Sequence, residues 1–160
     1  MQCKQLSQSS TNLCIKDTKI GKGVFAKAKY NFGETVLIFN GKILSFEDLP
    51  DPYIDDYYIQ IGPDKYMGPS GMMDDFVNHS CNPNCGIKID KRCVRLIAIK
   101  QIEPGEEITW DYSTTMYHDD FKMKCLCGSE ICRKVICEYK YLPDHLKRKY
   151  VALGIVPDYQ

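Results

Sequence analysis

Cysteine placement constrains this chain more than any other feature. The run Cys125-Leu126-Cys127-Gly128-Ser129-Glu130-Ile131-Cys132 sets three thiols in a C-x-C-x4-C pattern, in a chain of 160 residues with nine cysteines. Three thiols so close on a glycine-containing loop crowd one another as plain buried side chains, but they suit three corners of a tetrahedral zinc site. A fourth ligand is then required. The residues offer Cys137 just downstream, or Cys81 or Cys85 from a distant segment. A closed four-cysteine site leaves no position open for water and is structural.

A reducing, intracellular site is the expectation, and in such a compartment clustered cysteines read as metal ligands more readily than as disulfides. The remaining Cys3, Cys14 and Cys93 read as ordinary reduced thiols, and Cys85 as a small buried residue. Met1 to Asn12 is polar, with Lys4 as its only charge, so neither a secretory signal nor an Arg-rich transit peptide is expected. No apolar run approaches the roughly 20 residues that span a bilayer, and no membrane association is expected. The expected location is inside a cell, in cytoplasm or nucleus, with delivery into a host cell as the further option for a bacterial source.

The chain is 44% apolar and carries 21 basic against 21 acidic residues, a globular composition fit for one domain with a small appendage. Zero net charge speaks against direct attachment to nucleic acid, where phosphate neutralisation carries binding. The balance is uneven along the chain. From Glu47 to Asp75 eight acidic residues face Lys65 alone, whereas Lys122 to Lys149 holds eight basic residues against Glu130, Glu138 and Asp144. Most of these charges read as solvated faces. The acidic stretch also carries Tyr53, Tyr57, Tyr58 and Tyr66, and could guide a basic peptide toward a cleft.

Short β-type segments separated by Gly and Pro run along most of the chain, without repeats. Glu34 to Leu44 is β-branched and broken by Asn40-Gly41, a hairpin-like signal, and Tyr57 to Ile61 is a further strand. Cys85 to Asp90 and Cys93 to Lys100 fold about Asp90-Lys91-Arg92, and Glu107 to Tyr112 follows Pro104-Gly105. Pro143-Asp144 opens a helix through Leu153, with Leu146, Tyr150 and Leu153 at helical spacing and Gly154 as its stop. The expected architecture is a mostly-β body with one short C-terminal helix.

Two further motifs stand out. Gly21-Lys22-Gly23-Val24-Phe25-Ala26 lets the backbone pass close to a ligand, though such glycine pairs are commonly only turns. Asn78-His79-Ser80-Cys81-Asn82-Pro83-Asn84-Cys85 is a dense polar loop whose groups need partners, either its own backbone or a ligand.

Taken in order, G-K-G-V-F-A, N-H-S-C-N-P-N-C, G-E-E-I-T-W-D-Y and C-x-C-x4-C resemble the SET-domain protein lysine methyltransferases that carry a cysteine-rich post-SET segment. The resemblance runs from about Ile20 to Cys137, and is nearest to small standalone SET proteins of bacterial type. It implies a β-clip type fold of short curved sheets, in which the N-H-S-C segment threads under a loop as a pseudoknot. It divides the chain into an N-terminal extension (1–19), a SET domain (20–115), a post-SET zinc segment (116–137) and a C-terminal helix and tail (138–160). It implies S-adenosylmethionine as methyl donor, held around Lys22 and Gly23 and by Asn78 and His79, with Tyr57 and Leu126 near it. Tyr112 matches the family's catalytic tyrosine, and Phe39 and Trp110 stand at substrate-channel positions. Cys81 joins Cys125, Cys127 and Cys132 as the implied structural zinc set.

The chemistry is consistent with those residue types. Methyl transfer to an amine needs a neutral lysine, a dry aromatic channel that favours the uncharged form, and in-line alignment. An oxygen such as the Tyr112 hydroxyl can stabilise the partial positive charge on the methyl. The plainer reading of Tyr112 is a core tyrosine with its hydroxyl capped by a carbonyl. Three positions depart from the family pattern: Trp110, Phe39, and Asp75 where arginine is usual. The expected function is S-adenosylmethionine-dependent lysine N-methylation of a histone tail or another basic protein segment. The alternative is a catalytically silent SET scaffold that binds a peptide, while a zinc-dependent nucleic-acid binder fits the charge poorly. Size and the C-terminal helix allow a homodimer.

Overall fold

Because turn residues punctuate the sequence so often, strands stay short and the chain builds several small sheets rather than one large one. The computed structural model describes residues 12–50, 57–90, 93–117 and 122–160. Its strands are β1 (Leu13–Thr18), β2 (Gly21–Ala26), β3 (Thr35–Phe39), β4 (Ile43–Leu44), β5 (Ile59–Gly62), β6 (Lys65–Met67), β7 (Asn78–His79), β8 (Cys85–Asp90), β9 (Cys93–Ala98), β10 (Thr109–Trp110), β11 (Lys122–Lys124) and β12 (Val135–Cys137). One α-helix, α1 (Asp144–Ala152), follows. No helix among the described residues is long and apolar enough to cross a membrane. Tyr53, the Lys91-Arg92 turn, His118 and Cys3 lie outside the described residues.

The central sheet has the order β3-β9-β8, and β9 alternates as a strand covered on both faces does. Val94, Leu96 and Ala98 join the main core with Val24, Leu37, Ile87, Ile102 and Ile108, whereas Ile97 faces α1. There Ile97 packs with Leu142, Leu146, Tyr150 and Ile155. Gly86 sits opposite Ile97 on β8, and a Cβ at Gly86 would run into the Ile155 side chain, so glycine makes room for the segment after the helix. The helix agrees with its expected bounds: Leu146 and Tyr150 are buried one turn apart, and Gly154 turns the chain at φ 62°.

Other expectations change. The Asn40-Gly41 turn does not join two paired strands, because β3 pairs with β9 while β4 pairs with β6 in a separate β4-β6-β5 sheet. What fixes the turn is close approach. Gly41 (φ 150°) lies against the Gly68 backbone, and the Asn40 N–H donates to Asp74 Oδ2 at 2.7 Å. β1, which the sequence patterning did not pick out, pairs with β2 from Leu13↔Ala26 to Thr18↔Gly21. The strand expected over Glu107 to Tyr112 shrinks to β10, because Tyr112 opens a 3-10 turn capped by the Asp111 side chain, which accepts from the Ser113 N–H. Cys14 is free as expected, but Cys93 is disulfide-bonded, so the reduced-thiol reading fails there.

Candidate active site and cysteine cluster

The site is assembled where the chain returns on itself. β10 lies parallel to β7, placing Thr109 beside Asn78 and Trp110 beside His79. The pairing brings together two segments that the β8-β9 hairpin separates in the sequence. It also answers where the polar N-H-S-C-N-P-N-C groups go: Ser80 N–H donates to Trp110 O (3.0 Å), Asn84 Nδ2 to Glu107 O (2.8 Å), and Thr109 N–H to Asn84 Oδ1 (3.0 Å). Asn84 is buried, so this loop is in large part a structural tie.

Asn78 and Gly23 meet at the edge of that tie. The Asn78 amide donates to Lys22 O at 2.9 Å and to the Glu107 carboxylate at 2.8 Å. A side chain at Gly23 would collide with the Glu107 carboxylate, the Thr18 methyl and the Asn78 amide, so glycine is what lets three segments converge. Lys22 is exposed, with Nζ 5.5 Å from the centre of the Phe76 ring.

Aromatic rings then lead inward. Tyr112, half-buried, lies 4.9 Å from Trp110 and 5.3 Å from His79 by ring centroids, and Trp110 meets Phe39 edge-on at 6.4 Å. Phe39 and Trp110 are 4% and 3% exposed, so both belong to the core behind Tyr112. The Tyr112 hydroxyl donates to Val77 O at 2.7 Å. Its proton is thereby committed, and the hydroxyl lone pairs are what it can offer a neighbour.

His79 is held neutral. Burial lowers its pKa to about 4 and the Arg133 charge lowers it too, outweighing the opposing pull of Asp111. Nδ1 accepts the Tyr112 N–H at 3.2 Å, which assigns the ring proton to Nε2, 3.4 Å from Cys81 Sγ. The 3.6 Å approach of His79 to Asp111 is therefore not an ion pair. His79 Nε2 thus lies against the Cys81 thiol, at the edge of the cysteine cluster.

The cysteine loop closes over this region. Cys81 Sγ is 3.7 Å from Cys125 Sγ, and ligand atoms of His79, Cys81, Cys125 and Cys127 lie within 4.8 Å of one another. Cys132 adjoins Cys125 and Cys127 as a hydrogen-bonding thiol. Cys137 pairs with Lys122 across β11-β12 and is not part of the group, and Cys85 is buried in the main core. Burial pushes Cys81 up to about 11; at Cys127 burial is outweighed by hydrogen bonds from the Cys81 and Ser129 backbone and neighbouring thiols, which bring it to about 7. Backbone N–H groups of Arg133 and Lys134 point at Cys81 and Cys132 sulfurs, both at 3.4 Å. Converging thiols with outer N–H donors are a donor set that fits a tetrahedral metal ion.

Sequence reading missed Asp111 and Arg133. Asp111 is 1% exposed and accepts Arg133 Nη1 and Nη2, each at 2.8 Å, the Tyr150 hydroxyl at 2.8 Å and the Ser113 N–H at 3.1 Å. Their signal was present as an acid inside W-D-Y and an arginine directly after Cys132, but nothing in spacing joins them. Asp75 caps the preceding loop, accepting the Ser70 N–H (2.9 Å) and the Gly71 N–H (2.7 Å). Of the other expected site residues, Leu126 and Tyr57 are exposed. Next to Leu126 a polar cavity of about 420 Å³ is lined by Ser80, Asn82, Cys127, Gly128, Ser129 and neighbours.

Comparison with known proteins fits this geometry. Among curated proteins, the chain is 35% identical over 142 residues to the variant-silencing SET domain-containing protein of Plasmodium falciparum, covering 76% of this chain and 5% of that one. It is 30% identical over 129 residues to the histone-lysine N-methyltransferase trithorax of Drosophila virilis, covering 72% and 3%. The chain thus spans a small fraction of these relatives' length. Among solved structures, KRYPTONITE in complex with mCHG DNA and SAH superposes with TM-score 0.62 at 26% identity, covering 76% of this chain and 28% of that one. A second KRYPTONITE complex, with mCHH DNA, H3(1-15) peptide and SAH, gives TM-score 0.65 at 24% identity, covering 79% and 29%. The pattern of the SET domain matches residues 21–113, more than half of the sequence, and the chain belongs to the SET-domain family.

Proposed function

We propose that this protein is an S-adenosylmethionine-dependent protein lysine N-methyltransferase acting on a basic protein segment, with a histone tail as the leading candidate. The observation that carries it is the convergence of Gly23 and Asn78 with His79 and the half-buried Tyr112, since the bond from the Tyr112 hydroxyl to Val77 O (2.7 Å) is one that a plain core tyrosine also makes. Two oxygens so placed present negative partial charge and no spare proton, which suits a methyl group gaining positive character and a lysine amine that must stay neutral. The histone-lysine N-methyltransferase name of a relative and the SAH in the KRYPTONITE complexes support the reading.

When bound, S-adenosylmethionine supplies a methyl group on a positively charged sulfur. Asn78, Lys22 and Gly23 would hold its amino-acid end, and His79 and Leu126 its adenine side. In this chain Tyr112 orients the amine with its lone pairs, while Trp110 and His79 exclude water from one side of it. Cys81, Cys125, Cys127 and Cys132 would hold a structural zinc ion that fixes the loop and takes no part in bond making.

Acidic groups bear on substrate choice unequally. Asp74 is buried and bonded to Asn40 and Ser70, so it cannot steer a peptide, whereas Glu47, Asp48 and Asp64 are exposed. Weaker peptide binding at higher salt is expected from those.

The deciding experiment measures labelled methyl transfer to core histones and to a whole-cell protein extract, with the native chain and Tyr112→Phe. Transfer to lysine that drops at least about 100-fold in the variant, at unchanged cofactor binding, supports the proposal. Absence of transfer to both pools, despite bound cofactor, overturns it.

A further inference from the structure

Asp111 lies between Trp110 and Tyr112, so the position of its buried carboxylate governs where the Tyr112 backbone starts. Its four hydrogen bonds come from three places: its own turn through Ser113, α1 through Tyr150, and the cysteine loop through Arg133. The Arg133 contribution is the strongest in kind, an end-on fork with one nitrogen on each oxygen, and it supplies the opposite charge. It also donates to Ser113 Oγ at 3.3 Å, in the turn that Tyr112 opens.

The same residue is tied to the thiols by its main chain. Arg133 N–H points at Cys81 Sγ, and the next residue, Lys134, holds a left-handed backbone (φ 66°) while its N–H points at Cys132 Sγ. A lysine adopts that conformation only where surroundings impose it. Release of the sulfurs removes both N–H contacts and what imposes the turn, and the guanidinium then has no fixed path to Asp111. A carboxylate buried at 1% exposure cannot remain in place without its cation, so Trp110 and Tyr112 move with it.

We infer that Arg133 is a positioning residue through which the state of the cysteine loop sets the geometry of Tyr112. Its kinetic consequence rests on the methyl-transfer reading above; its structural consequence does not. The coupling has a built-in reporter, because Trp110 is the only tryptophan of the chain and lies 4.9 Å from Tyr112.

The test uses the full chain loaded with zinc, and compares wild type with Arg133→Lys, Arg133→Met and Tyr150→Phe. Tryptophan emission is followed as a chelator removes the metal, and steady-state kinetics are measured on the loaded proteins. Chelation is expected to shift wild-type emission to longer wavelength. The shift persists in Tyr150→Phe, whereas loaded Arg133→Met starts from the shifted emission and chelation adds nothing. Arg133→Lys keeps the charge but not the fork, and is expected to lose about 10- to 100-fold in kcat with both KM values within about threefold. A wild type whose emission ignores chelation overturns the inference. So does an Arg133→Lys protein with native kcat per folded, metal-loaded molecule, even if it melts earlier. Should Arg133→Met not fold, the wild-type chelation and Arg133→Lys decide alone. A wild type that transfers no methyl group to any pool refutes the function and leaves the emission experiment to decide the coupling.

Discussion

The β3-β9-β8 body and the β11-β12 cysteine region are held together by different physics. The body encloses a core that includes Val24, Leu37, Leu96, Ile102, Ile108 and Trp110, and burial of side chains of this kind contributes roughly 1.5–3 kcal/mol each. The cysteine region buries little: among the described residues its cluster is Cys81, Cys125 and Ile136, with half-buried Met116, Met123, Cys127 and Cys132 around it. A two-stranded ladder of three residues per strand does not stand by itself in water. Its contacts are instead those among the thiols and the Arg133–Asp111 pair, to which a bound metal ion would add. One half of the molecule is thus stable through the amount of apolar surface it hides, the other through a few directional bonds.

Metal removal separates the two most sharply. Structural zinc sites contribute about 10–16 kcal/mol of binding free energy. A chelator is expected to abolish amide-exchange protection across β11, β12 and the loop between them, while β3, β8 and β9 stay protected; equal loss everywhere would mean one cooperative unit. The converse perturbation is Leu96→Ala, at a site with 0% exposure. It should cost about 2–5 kcal/mol, lower the melting temperature of the whole chain, and leave zinc stoichiometry unchanged. Tyr150→Phe acts at the seam, deleting one of four bonds to Asp111 while the arginine fork remains. A loss of about 1–3 kcal/mol in denaturant titration is expected, and a smaller loss would show that Arg133 alone suffices. Lys29→Ala removes an exposed ion pair with Glu103 (3.6 Å), and should change stability by less than about 1 kcal/mol.

The two regions also differed in how far the sequence revealed them. Strands β8 and β9 and helix α1 were legible because period-2 and period-3.6 patterns are local, and Gly154 marked the helix end. β4 was legible as a β segment but not in its partner, since Asn40-Gly41 signals a reversal and cannot say which strand lies alongside. At the site, the C-x-C-x4-C spacing was plain, whereas the choice among Cys81, Cys85 and Cys137 depends on the chain crossing itself at β7 and β10, which no local pattern records. Asp111 was invisible for the same reason: its partners Arg133 and Tyr150 stand 22 and 39 residues away. The fate of Cys93 was likewise hidden, because nothing in its neighbouring residues marks a disulfide.

The parallel crossing of β7 and β10 has a consequence for the order in which the molecule is made. Asn78 meets Glu107 only after a 29-residue excursion, and Asp111 meets Tyr150 only after 39 more residues have been added downstream of it. Contacts of that sequence separation close late, after the local hairpins β1-β2 and β8-β9 have formed. During synthesis the Cys81 thiol and the Asp111 carboxylate therefore wait in water for partners not yet translated. A nascent chain can thus hold every residue of the β3-β9-β8 body before Arg133 and Tyr150, the partners of Asp111, have been added.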